Sequence, residues 1–240
     1  MLSGQIIGMI NKRLIEHENI IGKGSLKKFK IDFNAYYGLM LVMFVLFVGL
    51  LYLCGIDFEN WYTNIRTISF FILLPLLVSA FLIDLKEQII PNRLVLTIFE
   101  FGLVFMFLEA IFSPLGMTLA LNRLEGMIVG GLIFLAITLL GGLLTGKEAM
   151  GMGDVKLMGA LGLFFGVRSI IIISLISFFI GAIASIVILI LKIKKPDEYI
   201  PFGPFIVVAT IIAMAIPEAV LFSLLIYVFS GKWYLQIVKK

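Results

Sequence analysis

The chain has 240 residues, 61% of them hydrophobic, with a mean hydropathy of +1.14 and only 14% charged residues. That composition excludes a soluble globular domain, and the apolar stretches are continuous rather than alternating, which excludes a membrane β-barrel. The formal net charge of +4 is small and locally placed, so it reads as orientation in a membrane rather than nucleic-acid binding, and the single cysteine, Cys54, excludes an intramolecular disulfide.

In chain order, Met1–Ile10 is apolar but too short to span. It has no preceding basic region and no small-residue cleavage site, so it reads as a half-length membrane segment or an interfacial helix rather than a cleaved signal. A basic loop follows, dividing the chain into a short N-terminal portion, 1–35, and a membrane-embedded domain, 36–240. Apolar runs able or nearly able to span lie at 36–54, 67–83, 94–113, 126–144, 155–167, 169–191, 201–216 and 218–230. Turn-forming and charged groups separate them, among them Pro91-Asn92, Ser113-Pro114, Gly146-Lys147-Glu148 and Pro217-Glu218. The expected fold is all-α, a polytopic transmembrane helical bundle of about eight membrane segments.

Basic residues orient such a bundle. With segment 11–30 in the cytoplasm and each run crossing once, sixteen of the nineteen basic residues fall inside, and only Arg66, Arg123 and Arg168 fall outside. Treating 201–230 as one span lowers the inside share to thirteen. Under either count, Asp84 and Asp154 lie at the cytoplasmic face. Asp84 closes the run 67–83 and begins Asp-Leu-Lys-Glu-Gln-Ile-Ile-Pro-Asn, 84–92; Asp154 ends Gly-Met-Gly-Asp and opens the next run. The runs 94–113 and 126–144 form a hairpin that returns the chain to the same side.

Carboxylates are expensive at membrane depth, which makes these two functional candidates. A pair that can share one proton and one water is the minimum apparatus of an aspartyl hydrolase. Gly151 and Gly153 remove side chains where another backbone or a substrate strand could approach Asp154. Gly-x-Gly also fits an ordinary loop-to-helix turn.

Gly151-Met152-Gly153-Asp154-Val155-Lys156-Leu157 resembles the signature of the type IV prepilin leader peptidases, within the GxGD intramembrane aspartyl proteases. Gly146-Lys147-Glu148-Ala149-Met150 before it and Ala160-Leu161-Gly162 after it are similar to that family too. So are Asp84 with Pro91-Asn92 seven positions on, and the late segment Pro201-Phe202-Gly203-Pro204-Phe205. The resemblance covers roughly 66–216. It implies a catalytic pair, Asp84 and Asp154, with Gly151, Gly153, Glu148, Lys156, Pro91, Asn92, Pro201, Phe202, Gly203 and Pro204 as motif or substrate-positioning residues. It implies cleavage of leader peptides from type IV pilin-like precursors at the cytoplasmic face of a bacterial inner membrane, with no cofactor for proteolysis. Larger members also methylate the new N-terminus with S-adenosylmethionine and carry two Cys-x-x-Cys pairs. Those pairs are missing here, although Asn11, Arg13 and Leu14 resemble part of the members' N-terminal element.

Helix ends suggest an assignment within the pair. Asp154 precedes a helix, whose positive end favours an anion, and Asp84 ends one, so Asp154 is expected as resting base and Asp84 as resting acid. Lys86 and Lys156 read as snorkelling to headgroups, Glu109 as interfacial, and His17 as solvated. One histidine and one cysteine are too few for an ordinary zinc site, so no metal is expected. The competing readings are a transporter coupling protons or cations through the two aspartates, which would place them near the bilayer midplane, and a non-catalytic assembly subunit.

Overall fold

The computed structural model describes residues 33–55, 61–145, 150–191 and 200–230. The N-terminal segment, the loop with Glu148 and the segment with His17 lie outside the described residues. Among those described, the chain is all-helical: α1 (Phe33–Cys54), α2 (Trp61–Glu87), α3 (Asn92–Phe112), α4 (Gly116–Thr145), α5 (Met152–Ile190), α6 (Gly203–Ala215) and α7 (Glu218–Phe229). Each expected apolar run falls on a helix, because a chain in hydrocarbon must satisfy its backbone groups within the segment itself.

Helix α2 is the centre of the bundle. Some 61% of its apolar window is buried, against 17–33% for α3, α4 and α5. Its Leu73, Leu74, Leu77 and Ile83 are enclosed with Leu94 and Ile98 of α3 and Leu157, Met158 and Leu161 of α5. It packs on α1, α3 and α6, and those neighbours accommodate Pro75 in its interior. Phe44, Tyr52, Leu143, Leu144 and Ile190 point outward from the bundle and form its apolar exterior.

Helix α5 is not straight. At Gly166 the backbone turns to φ 77°, ψ 179°, a region open essentially to glycine alone. A Cβ at Gly130 of α4 would lie 2.7 Å from the Met158 carbonyl oxygen and 2.9 Å from Ile170 Cγ1. In a straight helix those two positions stand about 18 Å apart. The chain therefore folds back at Gly166, and both arms of α5 lie against α4. Asn122 of α4 secures the reversal, its Oδ1 accepting the Val167 N–H at 3.3 Å. The two runs expected at 155–167 and 169–191 are these arms.

The expected eight crossings do not carry over to the described helices. By length and composition, α2 from Asn64, α3, α4 to Leu144 and α5 are each long and apolar enough to cross a membrane, with a fifth span if α6 and α7 form one broken pair. The reversal at Gly166 divides α5 into two arms, however, so it is not one straight crossing. The latter pair meets at 114° beside Pro217. With 13 and 12 residues they reach only about 20 and 18 Å, short of a hydrocarbon core of about 30 Å.

Candidate active site

The Gly-Met-Gly-Asp segment folds as a helix start with a particular capping geometry. Gly151 is the N-cap of α5, with φ −69° and ψ 141°, angles any residue adopts. Asp154 stands three positions on, with its carboxylate on the Gly151 N–H. That is the reach-back half of a capping box, which satisfies an otherwise orphaned donor at the helix N-terminus. Asp84 lies three residues before the end of α2. The chain then leaves the helix through Gln88, Ile89 and Ile90, and Pro91 caps α3.

These two segments, seventy positions apart in the chain, close on one another. Asp84, Gln88, Ile89, Ile90, Gly151, Met152, Gly153 and Asp154 line a single cavity of about 170 Å³. Both aspartates are 4% exposed, and each lies within electrostatic reach of the other. One oxygen of each, Asp84 Oδ2 and Asp154 Oδ1, has no hydrogen-bond partner in the protein. Buried polar atoms are nearly always satisfied, so two such oxygens in one small cavity are groups able to hold a water and a substrate carbonyl.

The late Pro-Phe-Gly-Pro segment reaches the same place from a third helix. The Gly203 N–H, at the start of α6, is directed at the Asp84 carboxylate. A Cβ on Gly203 would stand 2.5 Å from Asp84 Oδ2 and 3.0 Å from its Cγ, so only glycine leaves the carboxylate where it is. This removes the helix-end argument for assigning acid and base. Asp154 has the N-terminus of α5 and Asp84 the N-terminus of α6, so helix dipoles do not separate their roles. Pro204 sits in the first turn of α6, where proline costs no hydrogen bond. It starts a helix rather than interrupting one.

The remaining motif residues divide into two groups. Lys156 Nζ donates to Asn92 Oδ1 at 2.8 Å, joining the first turns of α5 and α3 beside the cavity; this is a tie between the two aspartate-bearing segments, not merely snorkelling. Pro91 is buried at the α3 cap. Gly153 packs on Ile90, whose Cβ would lie 3.1 Å from an added methyl. Phe202, by contrast, joins an aromatic cluster, with ring centroids 5.1 Å from Phe178, 5.8 Å from Phe205 and 5.9 Å from Phe134. It packs the base of α6, and neither it nor Pro201 and Pro204 lines the cavity. Glu148 lies outside the described residues. The sequence reading passed over Gln88, Ile89 and Ile90. Their signal was present, since any residue between a helix end at Glu87 and a cap at Pro91 must turn beside Asp84.

Glu109 is a correction. Instead of facing the interface it is 8% exposed and ion-pairs with Arg123 at 2.7 Å. A carboxylate and a guanidinium buried together compensate each other's lost hydration. No group of three or more His, Cys, Asp or Glu side chains able to hold a metal occurs among the described residues. The transporter reading finds no support, since both aspartates sit at helix ends rather than at mid-span.

Fold and site define a multi-pass helical membrane protein with a buried aspartate pair at one end of its bundle. Residues 71–186, which hold both aspartates, match the type IV leader peptidase family. It is 32% identical over 172 residues to the prepilin leader peptidase/N-methyltransferase of Aeromonas salmonicida, covering 72% of this chain and 54% of that protein. The protein of the same name from Legionella pneumophila is 36% identical over 166 residues, 65% of this chain and 53% of that one. That of Pseudomonas aeruginosa is 34% identical over 139 residues, 58% and 46%. The chain thus spans about half the length of these relatives. No solved structure matches it.

Proposed function

We propose that this protein is a membrane aspartyl endopeptidase that removes leader peptides from type IV prepilin-like precursors at the cytoplasmic face of a bacterial inner membrane. The observation that carries this is the meeting of Asp84 and Asp154, both buried, in one cavity between the end of α2 and the start of α5, with Gly203 of α6 against the Asp84 carboxylate. Hydrolysis needs the pair to hold one proton between them. The ionised member takes a proton from water, whose oxygen adds to the scissile carbonyl carbon while the protonated member gives its proton to the carbonyl oxygen. Collapse of the adduct breaks the C–N bond, a proton passes to the departing amine, and the pair again holds one proton. The two carboxylates titrate as a unit.

The substrate's apolar helix lies in the bilayer and its basic leader in the cytoplasm, so the scissile bond comes to the helix-end depth at which the pair sits. Lys156 and Asn92 fix the two aspartate segments relative to each other. The relatives' names add N-methyltransferase, an activity that requires S-adenosylmethionine. No step above runs through that molecule.

The test is incubation of the purified protein in lipid with a prepilin-like precursor, with and without S-adenosylmethionine, read by intact mass. The expected product lacks the leader after a single cut, and a methylated N-terminus would appear only in the second arm. Asp84→Asn and Asp154→Asn should each abolish cleavage while inserting normally, because neither carboxylate can be acid and base in one step. More than a few percent of activity retained by either variant removes that residue from the pair. Absence of cleavage by the wild-type protein returns the chain to a non-catalytic role.

A further inference from the structure

Helix α2 ends at Glu87, and the residue that follows, four positions after Asp84, has an unusual conformation. Gln88 has φ 56°, and it is the only non-glycine residue with positive φ among those described. Its N–H closes the helix on the Asp84 carbonyl oxygen at 2.9 Å. This is the left-handed position that follows many helices, where glycine is usual and asparagine the common substitute. Glutamine has no local preference for it, since its amide is too distant from its own backbone to compensate as the shorter Asn or Asp side chains do.

A residue held in such a conformation beside a functional cavity signals that its side chain is needed there. Gln88 is exposed, and it lines the same cavity as Asp84 and Asp154. Its neighbours in that lining, Ile89, Ile90, Gly151, Met152 and Gly153, have no polar side-chain group, so beyond the aspartates Gln88 brings the cavity's one side-chain amide. A primary amide offers an N–H donor and a carbonyl acceptor in one plane. That matches the alternating carbonyl and N–H of an extended peptide, and it matches neither a lipid chain nor a metal ion.

We propose that Gln88 is a substrate-binding residue whose carboxamide pairs with the main chain of the precursor beside the scissile bond, holding it extended across the aspartate pair. The inference rests on the peptidase reading above. Because the amide recognises backbone, it contributes to binding whatever side chains flank the cut, and the pairing orders the peptide without entering the proton transfers.

Gln88→Gly separates this role from a purely structural one. Glycine relieves the backbone conformation, so the variant should fold and melt at or above the wild-type temperature. Loss of the amide's pairing with the substrate main chain should then raise KM at least about three- to tenfold, the worth of one neutral hydrogen bond, with kcat little changed. Gln88→Asn, which keeps an amide and tolerates the conformation, should recover part of the loss. Unchanged KM and kcat in Gln88→Gly, with wild-type cleavage intact, would overturn the proposal and leave Gln88 a helix terminator only. Absence of cleavage by the wild-type protein would instead overturn the peptidase reading and this inference with it. An equal KM for Asn and Gly variants, both well above wild type, would still support the amide but place it at the full reach of the longer side chain.

Discussion

A single missing side chain decides where the Asp84 carboxylate lies. A methyl on Gly203 would stand 2.5 Å from Asp84 Oδ2, about 1 Å inside ordinary van der Waals contact. The obstructed atom is the tip of a side chain that can swing, so the cost falls on position rather than on folding. Misplacing a reacting group by about 1 Å costs about a hundredfold in rate. Gly203→Ala should therefore lower precursor cleavage by about that factor while leaving the melting temperature nearly unchanged. Gly153→Ala asks less, since Ile90 Cβ at 3.1 Å need yield only a few tenths of an ångström, and its loss should be several-fold. Equal activity of Gly203→Ala and wild type would mean that Asp84 does not act from the position seen here. The ranking inverts what the motif suggests, because the conspicuous glycines are those of Gly-Met-Gly-Asp, whereas the glycine against a carboxylate lies some fifty positions later. No spacing rule in the sequence brings Gly203 to Asp84; only the packing of α6 on α2 does.

Helices were legible to the extent that hydropathy dictates them. Each apolar run became a helix, and the boundary between 155–167 and 169–191 marked a real event, the reversal at Gly166. What the runs did not show was which were long enough to cross once bent, because the angle of 114° between α6 and α7 depends on packing rather than on composition. Nor did they show the burial of Glu109. Its partner Arg123 lies on the next helix beyond the turn at Ser113–Leu115, and an isolated charge near a helix end looks interfacial until its counterion is found. The reversal itself is sharply testable. Gly166 has φ 77°, and a Cβ there would stand 2.5 Å from Asn122 Nδ2. Gly166→Ala should destabilise the protein by about 1–3 kcal/mol, seen as a lower melting temperature in detergent. The loss should be global, since both arms of α5 depend on this turn to lie against α4. A wild-type melting temperature in that variant would show that the reversal tolerates a side chain.

Taken whole, the bundle has two polar ends. At one are the aspartates with Gln88, Asn92 and Lys156. At the other, Arg123 pairs with Glu109 and lies within electrostatic reach of Arg66 and Glu218. Arg168 also pairs with Glu218 at 3.4 Å and sits over the Phe222 ring at 3.8 Å, and Ser169 donates to Glu218 at 2.8 Å. Along α2, Arg66 and Asp84 are eighteen positions apart, about 27 Å of helix, close to the thickness of a hydrocarbon core. The three arginines that charge counting left on the outer side therefore gather in one cluster, a membrane thickness from the aspartates. That regularity supports an aspartate end facing the cytoplasm, where basic residues concentrate. It yields a direct test in a Cys54→Ser background, using a membrane-impermeant thiol reagent. Met152 lines the cavity and is 51% exposed, and Leu115, in the turn between α3 and α4, is 67% exposed. Met152→Cys should react in inverted vesicles and not in spheroplasts, and Leu115→Cys should show the opposite pattern. Reversed patterns would place the aspartates outside and remove the cytoplasmic reading. Reaction of both from one side would mean that the α3 turn and the aspartate cavity share a face, which a 21-residue apolar α3 lying across the bilayer does not allow.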